Sequence, residues 1–361
     1  MSELGTGVSA APAPSRRRPW SRYALIAAGI LVVVLTFVFF LPKLADYRDV
    51  WGVVKTLSWA WLVALGLATA LNIATFAPPW MATLPGLGFR QALVLSQAST
   101  ALSLVVPAGA AVGMAGSYGM LRSWGFRSSD VARSVMLTGV WNQFANLVFP
   151  VCALFVLALD GETHPALTSA AFVGVAVLGA AVGAMVLVLW STRLAHDVGE
   201  VAAAGVNGVL RRIGRGPVGW SGESFARFRD NAVDLLRRRW HVLTLATLVG
   251  NLTVFVLLLV SLRALEVPAA EVSAAEAFAA WALARILGAI PITPGGLGVV
   301  ELSLSATLIG FGGSNAAVVA AVLVYRFLAI VPTLVLGGLA ALTWRHHHPH
   351  AAPAPATDAV D

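Results

Sequence analysis

Six apolar segments, each at least 18 residues long, constrain this 361-residue chain more than any other feature of its sequence. A helix of about 20 apolar residues crosses the hydrocarbon core of a bilayer, and helices satisfy their own backbone hydrogen bonds in lipid. We therefore predict an all-α, polytopic membrane bundle with six full spans. The segments are 24–41, 59–77, 133–158, 166–190, 241–261 and 315–343.

Composition supports this class and excludes several others. Only 11% of the residues are charged, against roughly a quarter in soluble domains. The single cysteine, Cys152, lies inside an apolar segment, so we expect neither a disulfide framework nor a metal site. There is no P-loop, HExxH or GxSxG motif. We therefore expect no cofactor and no enzymatic activity, and we attribute the net charge of +7 to loop charges rather than to nucleic-acid binding.

Positive charge predicts the orientation of the spans, because Lys and Arg collect on the cytoplasmic side of a membrane. The N-terminal tail, residues 1–22, is basic and is predicted to be disordered and cytoplasmic. The apolar run after it is too long for a typical signal peptide and is interpreted as an uncleaved span. Residues 191–240 hold nine arginines against five acids and are predicted to form a cytoplasmic loop. The tail 346–361 is also placed inside, so we expect an inner or plasma membrane protein with both termini cytoplasmic.

Two further apolar segments, 90–121 and 274–313, are broken in the middle by Pro and Gly. Their breaks read VVPAGAAVG at 105–113 and PITPGGLG at 291–298. Flanking charges place both ends of each segment on one side, which indicates re-entrant helical hairpins whose tips are buried in protein or line a wet cavity. The alternative is that each arm crosses the membrane fully, which gives ten helices and the same sidedness.

The two halves of the membrane domain, 23–190 and 241–345, have similar orders of elements with opposite sidedness. Each contains a span, a broken hairpin and a second span with an internal proline, Pro150 in one and Pro332 in the other. Opposite sidedness of matching units is the inverted repeat of transporters, which bind substrates near the midplane where helices are broken.

The stretch PITPGGLGVVE concentrates the candidate site residues. Pro294 ends the first arm, Gly295, Gly296 and Gly298 permit backbone conformations that other residues resist, and Glu301 falls near the start of the next helix. A helix start presents free N–H groups and positive dipole, which suit an anion such as phosphate. Glu301 is either a cap for that helix or an ionisable residue on a translocation pathway.

Two arginines lie at membrane depth near this stretch. Arg285 precedes the break and Arg326 lies in the last span, next to Tyr325. One interpretation is that both guanidinium groups hold a lipid phosphate, with a hydrogen bond from Tyr325. The other is that Arg326 forms a structural ion pair with Glu301.

The first hairpin carries less charge. Its break contributes Pro107 and Gly109 as candidate residues, and its polar neighbours include Gln97, Thr100, Asn142 and Asn146. Small polar groups in spans join helices more often than they bind ligands. The stretch SFARFRDNAVDLLRRRW in the loop 191–240 has an apolar face and an arginine-rich face, which is typical of a helix lying on anionic lipids of the inner leaflet, or of an ordinary basic loop.

These motifs resemble one known family. TPGGLGVVE, the GF turn and the AAVLVYR run, together with VVPAGAAVGMAGSYGMLRSWGFRSSDVA, resemble the lysylphosphatidylglycerol synthase transmembrane, flippase-like family over roughly residues 20–345. By position, Pro294, Gly295, Gly296, Gly298, Glu301 and Arg326 match its second block. The first block of the family often carries a glutamate and an arginine where this chain has Ala110, Ala111 and Val112.

The resemblance implies a membrane protein that moves a phospholipid or a polyprenyl-linked lipid between leaflets. No aminoacyl-transferase domain follows Trp344 in this sequence, which argues against lysyl transfer by this chain. The leading hypothesis is therefore a lipid translocase. The alternatives are a non-transporting partner of a lipid-modifying enzyme of the cell envelope and, third, a membrane-embedded transferase.

Overall fold

The computed structural model describes residues 57–105, 109–159, 165–191, 222–289 and 293–343, together with Lys55 and scattered positions between 193 and 207. The expected first span 24–41, both predicted tails and Pro107 lie outside these residues. All regular structure in the described ranges is helical. The helices are α1 (Trp59–Thr75), α2 (Pro78–Thr83), α3 (Phe89–Val105), α4 (Gly109–Ser123), α5 (Ser128–Leu159), α6 (Pro165–Trp190), α7 (Gly222–Ala264), α8 (Ala274–Ala289), α9 (Val299–Gly310) and α10 (Asn315–Thr343).

Within the described residues, four stretches are long and apolar enough to cross a membrane, and they coincide with four of the six predicted spans. They are Trp59–Thr83, Ser128–Leu157, Arg229–Ala264 and Asn315–Ala340. The predicted span 166–190 forms α6, of which the shorter part Gly174–Trp190 is apolar and fully described. The chain is therefore an all-α, multi-pass membrane protein.

Helix α7 differs from the expectation for residues 191–240. We expected a cytoplasmic loop up to residue 240, with either a helix that lies on the membrane or an ordinary basic loop in its second half. Instead, one helix of 43 residues runs from Gly222 to Ala264, about 64 Å long and longer than a bilayer is thick. The reason is packing: Ala232 and Leu236 are buried against Trp141 of α5 rather than facing lipid.

Both broken segments form pairs of short antiparallel helices. In the first pair, Ser99 of α3 donates a hydrogen bond to the carbonyl of Gly113 in α4 (3.1 Å). In the second, Gly288 of α8 faces Val300 of α9, and Val272, just before α8, faces Gly313, just after α9. We call these pairs the first hairpin (α3–α4) and the second hairpin (α8–α9).

The hairpins enter the bundle from opposite ends. Helices α5 and α10 both reach from one apolar cluster to another, which defines the two ends of the bundle. The end of the first hairpin that lies away from its tip, which we call its open end, packs in the cluster that contains the start of α5 and the end of α10. The members of this cluster include Ala92, Leu121, Trp124, Val131 and Ala340. The second hairpin contributes its open end to the other cluster, which includes Leu157, Leu265, Ala277, Leu308 and Val318.

The tips of the hairpins consequently meet inside the bundle. A Cβ placed on Gly295, in the bend of the second hairpin, would lie 2.6 Å from Cδ2 of Leu104 near the tip of the first. Helix α10 passes beside both, since Arg326 contacts the second tip and Gly337 packs on α3. The candidate residues of the second hairpin's bend, including Gly295, lie at this junction.

Adjacent glycines in α10 test how closely α10 and α3 must approach. A Cβ on Gly337 would lie 2.7 Å from the carbonyl oxygen of Gln97, whereas a Cβ on Gly338 would meet nothing within 4 Å. We expect Gly337→Ala to lower the free energy of unfolding by about 1–3 kcal/mol through overpacking. Gly338→Ala should leave it unchanged or raise it by up to about 1 kcal/mol, because alanine is the better helix former. Thermal unfolding in detergent, followed by tryptophan fluorescence, measures both, and equal shifts would contradict the packing described.

Candidate functional site

The bend of the second hairpin is built by glycines in left-handed conformations. Gly295, Gly296 and Gly298 have φ values of 61°, 66° and 83°. L-residues with a side chain rarely adopt such values, and this explains the PGGLG sequence at this point. Pro294 begins a single 3₁₀ turn, Pro294–Gly296, after which α9 starts at Val299.

Gly296 is also required by space. A Cβ on Gly296 would lie 3.2 Å from the Cα of Gly288 and 3.3 Å from its carbonyl oxygen. The bend therefore returns close to the last turns of α8, and the chain reverses direction within a few residues. This tight reversal fixes where the first turn of α9 points.

Glu301 lies in that first turn and is 2% exposed. Its Oε2 accepts a hydrogen bond from the backbone N–H of Gly298 (2.7 Å), and its Oε1 accepts one from Nε of Arg326 (2.7 Å). Arg326 also donates from Nη2 to the carbonyl oxygen of Gly295 (3.3 Å). Glu301 is therefore both the cap of α9 and half of a buried ion pair that ties the bend to α10.

The ion pair between Glu301 and Arg326 is the structural pairing that the sequence left open. Arg326 binds one carboxylate oxygen of Glu301 and the carbonyl oxygen of Gly295, while the other carboxylate oxygen accepts the hydrogen bond from Gly298. The charge of Arg326 is balanced within the protein. Of the two arginines expected to hold phosphate, Arg285 is the one that the structure leaves without an acidic partner in the described ranges.

A cavity of about 310 Å³ lies between both hairpins and helices α1, α5, α7 and α10. We call it the central cavity. Leu104 from the first hairpin, Gly288 and Val300 from the second, and Ala329 of α10 form apolar parts of its wall. Its polar lining consists of Asn72, Gln97, Thr100, Asn142, Asn146, Arg285, Tyr325, Arg326 and Thr333.

Arg285 is held in the central cavity by neutral groups. Its Nη2 donates to Oδ1 of Asn146 and to Oδ1 of Asn251 (2.6 Å). Its guanidinium carbon lies 5.0 Å from the ring centroid of Trp281 and 5.9 Å from that of Phe149, within range of cation–π attraction. No carboxylate of the described residues pairs with it, and its buried Nε has no hydrogen-bond partner there.

The two asparagines are themselves fixed by further hydrogen bonds. Asn251 donates from Nδ2 to the carbonyl of Thr247 (2.8 Å) and, more weakly, to Oδ1 of Asn142 (3.4 Å). Asn146 donates from Nδ2 to Oε1 of Gln143 (2.9 Å). Both amide oxygens are thereby directed toward Arg285, which orients its guanidinium without neutralising its charge.

The other candidate residues are distributed around this arrangement. Tyr325 is buried and lines the central cavity. Gly109 is buried in the first hairpin, where a Cβ would clash with the carbonyl of Ser103 at 1.8 Å; it does not line the cavity. Gln97, Thr100, Asn142 and Asn146, interpreted as helix-joining residues, do line it. Asn72 and Thr333 were not identified from the sequence as lining residues, and Asn251 was not identified as a partner of Arg285. Their polarity inside apolar spans is the feature that could have indicated them.

The Glu301–Arg326 ion pair predicts a non-additive effect on stability. Removing one member leaves an uncompensated buried charge, so Arg326→Met or Glu301→Gln should each lower the free energy of unfolding, by about 3–5 kcal/mol for the arginine. The double variant Glu301→Gln/Arg326→Met should be more stable than Arg326→Met alone. Thermal unfolding in detergent of the four proteins closes the double-mutant cycle. Strictly additive losses would contradict the pairing.

Comparison with known proteins agrees with the motifs. The family model described as the lysylphosphatidylglycerol synthase TM region matches residues 26–337, which include both hairpins, the central cavity and the Glu301–Arg326 pair. A comparison with curated proteins finds no match. The match covers most of the chain and confirms the resemblance seen in the sequence: this protein belongs to the family of the lysylphosphatidylglycerol synthase TM region.

Proposed function

We propose that this protein moves an anionic lipid between the leaflets of the membrane, and that the lipid's headgroup binds in the central cavity. The observation that carries this proposal is Arg285, a cation inside the bundle whose hydrogen-bond partners are two neutral asparagines. A charge at this depth is costly unless it is paired or hydrated. A phosphate of the lipid supplies the missing counter-ion.

The chemistry of Arg285 suits a phosphate. Guanidinium groups bind phosphate oxygens through several directed N–H donors, and Nη2 is the nitrogen that the asparagines engage. At an effective dielectric constant of about 20, two unit charges about 4 Å apart attract by about 4 kcal/mol. The neutral, fixed asparagines favour binding because they hold the guanidinium in place without competing as anions.

The size and lining of the central cavity favour a headgroup rather than a whole lipid. Its volume of about 310 Å³ is at the lower end of the range for small-molecule sites. Gln97, Thr100 and Tyr325 add hydrogen-bonding groups for headgroup hydroxyl or phosphate oxygens. The acyl or polyprenyl chains would remain in the surrounding lipid.

The proposal extends to the mechanism and the topology. The two hairpins act as re-entrant elements of an inverted repeat, and the cavity between their tips opens alternately toward each side of the membrane. The Glu301–Arg326 pair keeps the second tip rigid during this change. One end of the bundle, which contains the start of α5, carries Arg90, Arg122, Arg127 and Arg133, and we call it the arginine-rich end. It faces the cytoplasm of a cell whose inner or plasma membrane contains the protein, and both termini lie on that side. We also propose that the membrane domain is divided as the sequence predicts, into halves 23–190 and 241–345 that form the two units of the repeat.

Transport by purified protein in liposomes tests the function. Vesicles with the wild-type protein should move fluorescently labelled phosphatidylglycerol between leaflets faster than empty vesicles, as measured by quenching of the outer-leaflet label. Arg285→Gln should slow this movement at least about tenfold, which corresponds to about 1.4 kcal/mol of lost phosphate binding. Arg285→Lys keeps the positive charge but loses the paired N–H donors of the guanidinium group. Its rate of lipid movement should lie between those of the wild-type protein and Arg285→Gln.

Two controls make the result specific. Arg90→Gln removes an exposed arginine that does not line the central cavity, and should leave the movement of lipid unchanged. Thermal unfolding must show that Arg285→Gln remains folded. Equal rates for wild-type protein and empty vesicles, with phosphatidylglycerol and with a polyprenyl phosphate, would contradict the proposed transport and favour the non-transporting partner.

A further inference from the structure

A second cavity, of about 420 Å³, lies at the arginine-rich end of the bundle. It is formed by the start of α5, the connection between α2 and α3, and the N-terminal half of α7. Its lining includes Arg133, Asn231, Asp234, Arg238 and Arg239. It shares no residue with the central cavity, and Arg133 precedes Asn142 by nine residues, about 14 Å along α5.

The walls of this second cavity are held together by contacts between helices. Next to Arg133, the hydroxyl of Ser134 is 2.7 Å from that of Thr83 in α2. Farther along, Nε1 of Trp141 in α5 donates to Thr244 of α7 (2.9 Å). Ala232 and Leu236 of α7 are buried in the same apolar cluster as Trp141. The arginines of the second cavity therefore lie on helices that these contacts hold together.

The charge in the second cavity is predominantly positive. Three guanidinium groups face one carboxylate, that of Asp234. Arg133 is only 14% exposed; it forms an ion pair through Nη2 with Asp130 (3.1 Å), and its buried Nε has no partner among the described residues. Arg238 and Arg239 are exposed, and no carboxylate in the described ranges pairs with either. An anion with several acceptor oxygens satisfies these donors together.

Exposed tryptophans beside the second cavity indicate that it lies at the level of the lipid headgroups. Trp240 follows Arg239 directly and is 56% exposed, and Trp190 at the end of α6 is 81% exposed. Arg229 of α7 donates to the carbonyls of Leu189 and Trp190 (2.8 and 3.0 Å), which fixes the end of α6 beside α7. Tryptophan is enriched at the level of lipid headgroups, where the phosphates of the bilayer are also found.

We propose that the second cavity binds the phosphate of an anionic membrane lipid, independently of the central cavity. Arg238 and Arg239 attract the phosphate, and Arg133, set between α2 and α7, receives it at the base of the cavity. This refines the expectation that residues 191–240 contact anionic lipids, because it adds Arg133 of α5 and limits the contact to one side of α7. The site serves as a fixed lipid contact at the surface, separate from the cavity proposed for transport.

Lipid binding to purified protein in detergent, measured by native mass spectrometry, tests this site. Phosphatidylglycerol is titrated against the double variant Arg238→Gln/Arg239→Gln and against the protein without these two changes, both carrying Arg285→Gln so that the central cavity does not mask the loss. Zwitterionic phosphatidylcholine serves as the matched lipid. We expect the double variant to bind phosphatidylglycerol at least about tenfold more weakly and phosphatidylcholine as before. Arg133→Gln should weaken phosphatidylglycerol binding similarly, provided that its unfolding temperature is unchanged.

Two matched variants distinguish this site from general surface charge and from the central cavity. Arg237→Gln removes a neighbouring exposed arginine that does not line the second cavity, and should reduce binding less than twofold. Arg285→Gln should still bind phosphatidylglycerol in the second cavity even if it no longer transports lipid. The proposal for the second cavity and the proposal of transport can therefore be contradicted independently. An equal loss in Arg237→Gln and in the double variant would reduce the effect to general surface charge and overturn the site. Displacement of phosphatidylglycerol by an equal concentration of inorganic phosphate would overturn a lipid as its ligand.

Discussion

The buried ion pair between Glu301 and Arg326 is the interaction on which the interior of this protein depends. The second hairpin reverses direction through three left-handed glycines, a conformation with few side chains to stabilise it. Glu301 satisfies the N–H of Gly298 at the start of α9, and Arg326 joins both Glu301 and the carbonyl of Gly295 to α10. Non-helical backbone at membrane depth requires such internal partners, because lipid offers none. With the bend fixed, its tip can pack against the first hairpin and enclose the central cavity.

The two arginines near this junction have contrasting environments, and the contrast supports the functional proposal. Arg326 is neutralised by a carboxylate within the protein. Arg285, in the same cavity lining, is oriented by Asn146 and Asn251 and stacked near Trp281, so its charge is positioned but not balanced within the described chain. Asn146 and Asn251 orient Arg285 without neutralising it, whereas the carboxylate of Glu301 neutralises Arg326. Neutral partners leave the charge available to an anionic ligand that arrives and departs.

Local features of the fold could be predicted from the sequence, and the Glu301–Arg326 pair was one of two alternatives that it left open, whereas the partners of Arg285 could not be predicted. The breaks at PITPGGLG and VVPAGAAVG and the long spans depend on backbone chemistry within a few residues, and the family resemblance was confirmed. The partners of Arg285 lie 139 and 34 residues away along the chain, so they depend on tertiary packing that periodicity does not encode. The continuation of α7 from Gly222 was missed because its arginines indicate a loop by charge, although its buried Ala232 and Leu236 are helical in spacing.

Binding of a lipid phosphate by Arg285 is best tested by an experimental structure with an anionic phospholipid bound. The protein would be reconstituted in nanodiscs containing phosphatidylglycerol, and the density in the central cavity would be determined. We expect phosphate density within hydrogen-bond distance of the Arg285 guanidinium, with Glu301 and Arg326 still paired. A central cavity that contains only water, or an acyl chain, while the same lipid is bound elsewhere on the protein would contradict the proposed binding.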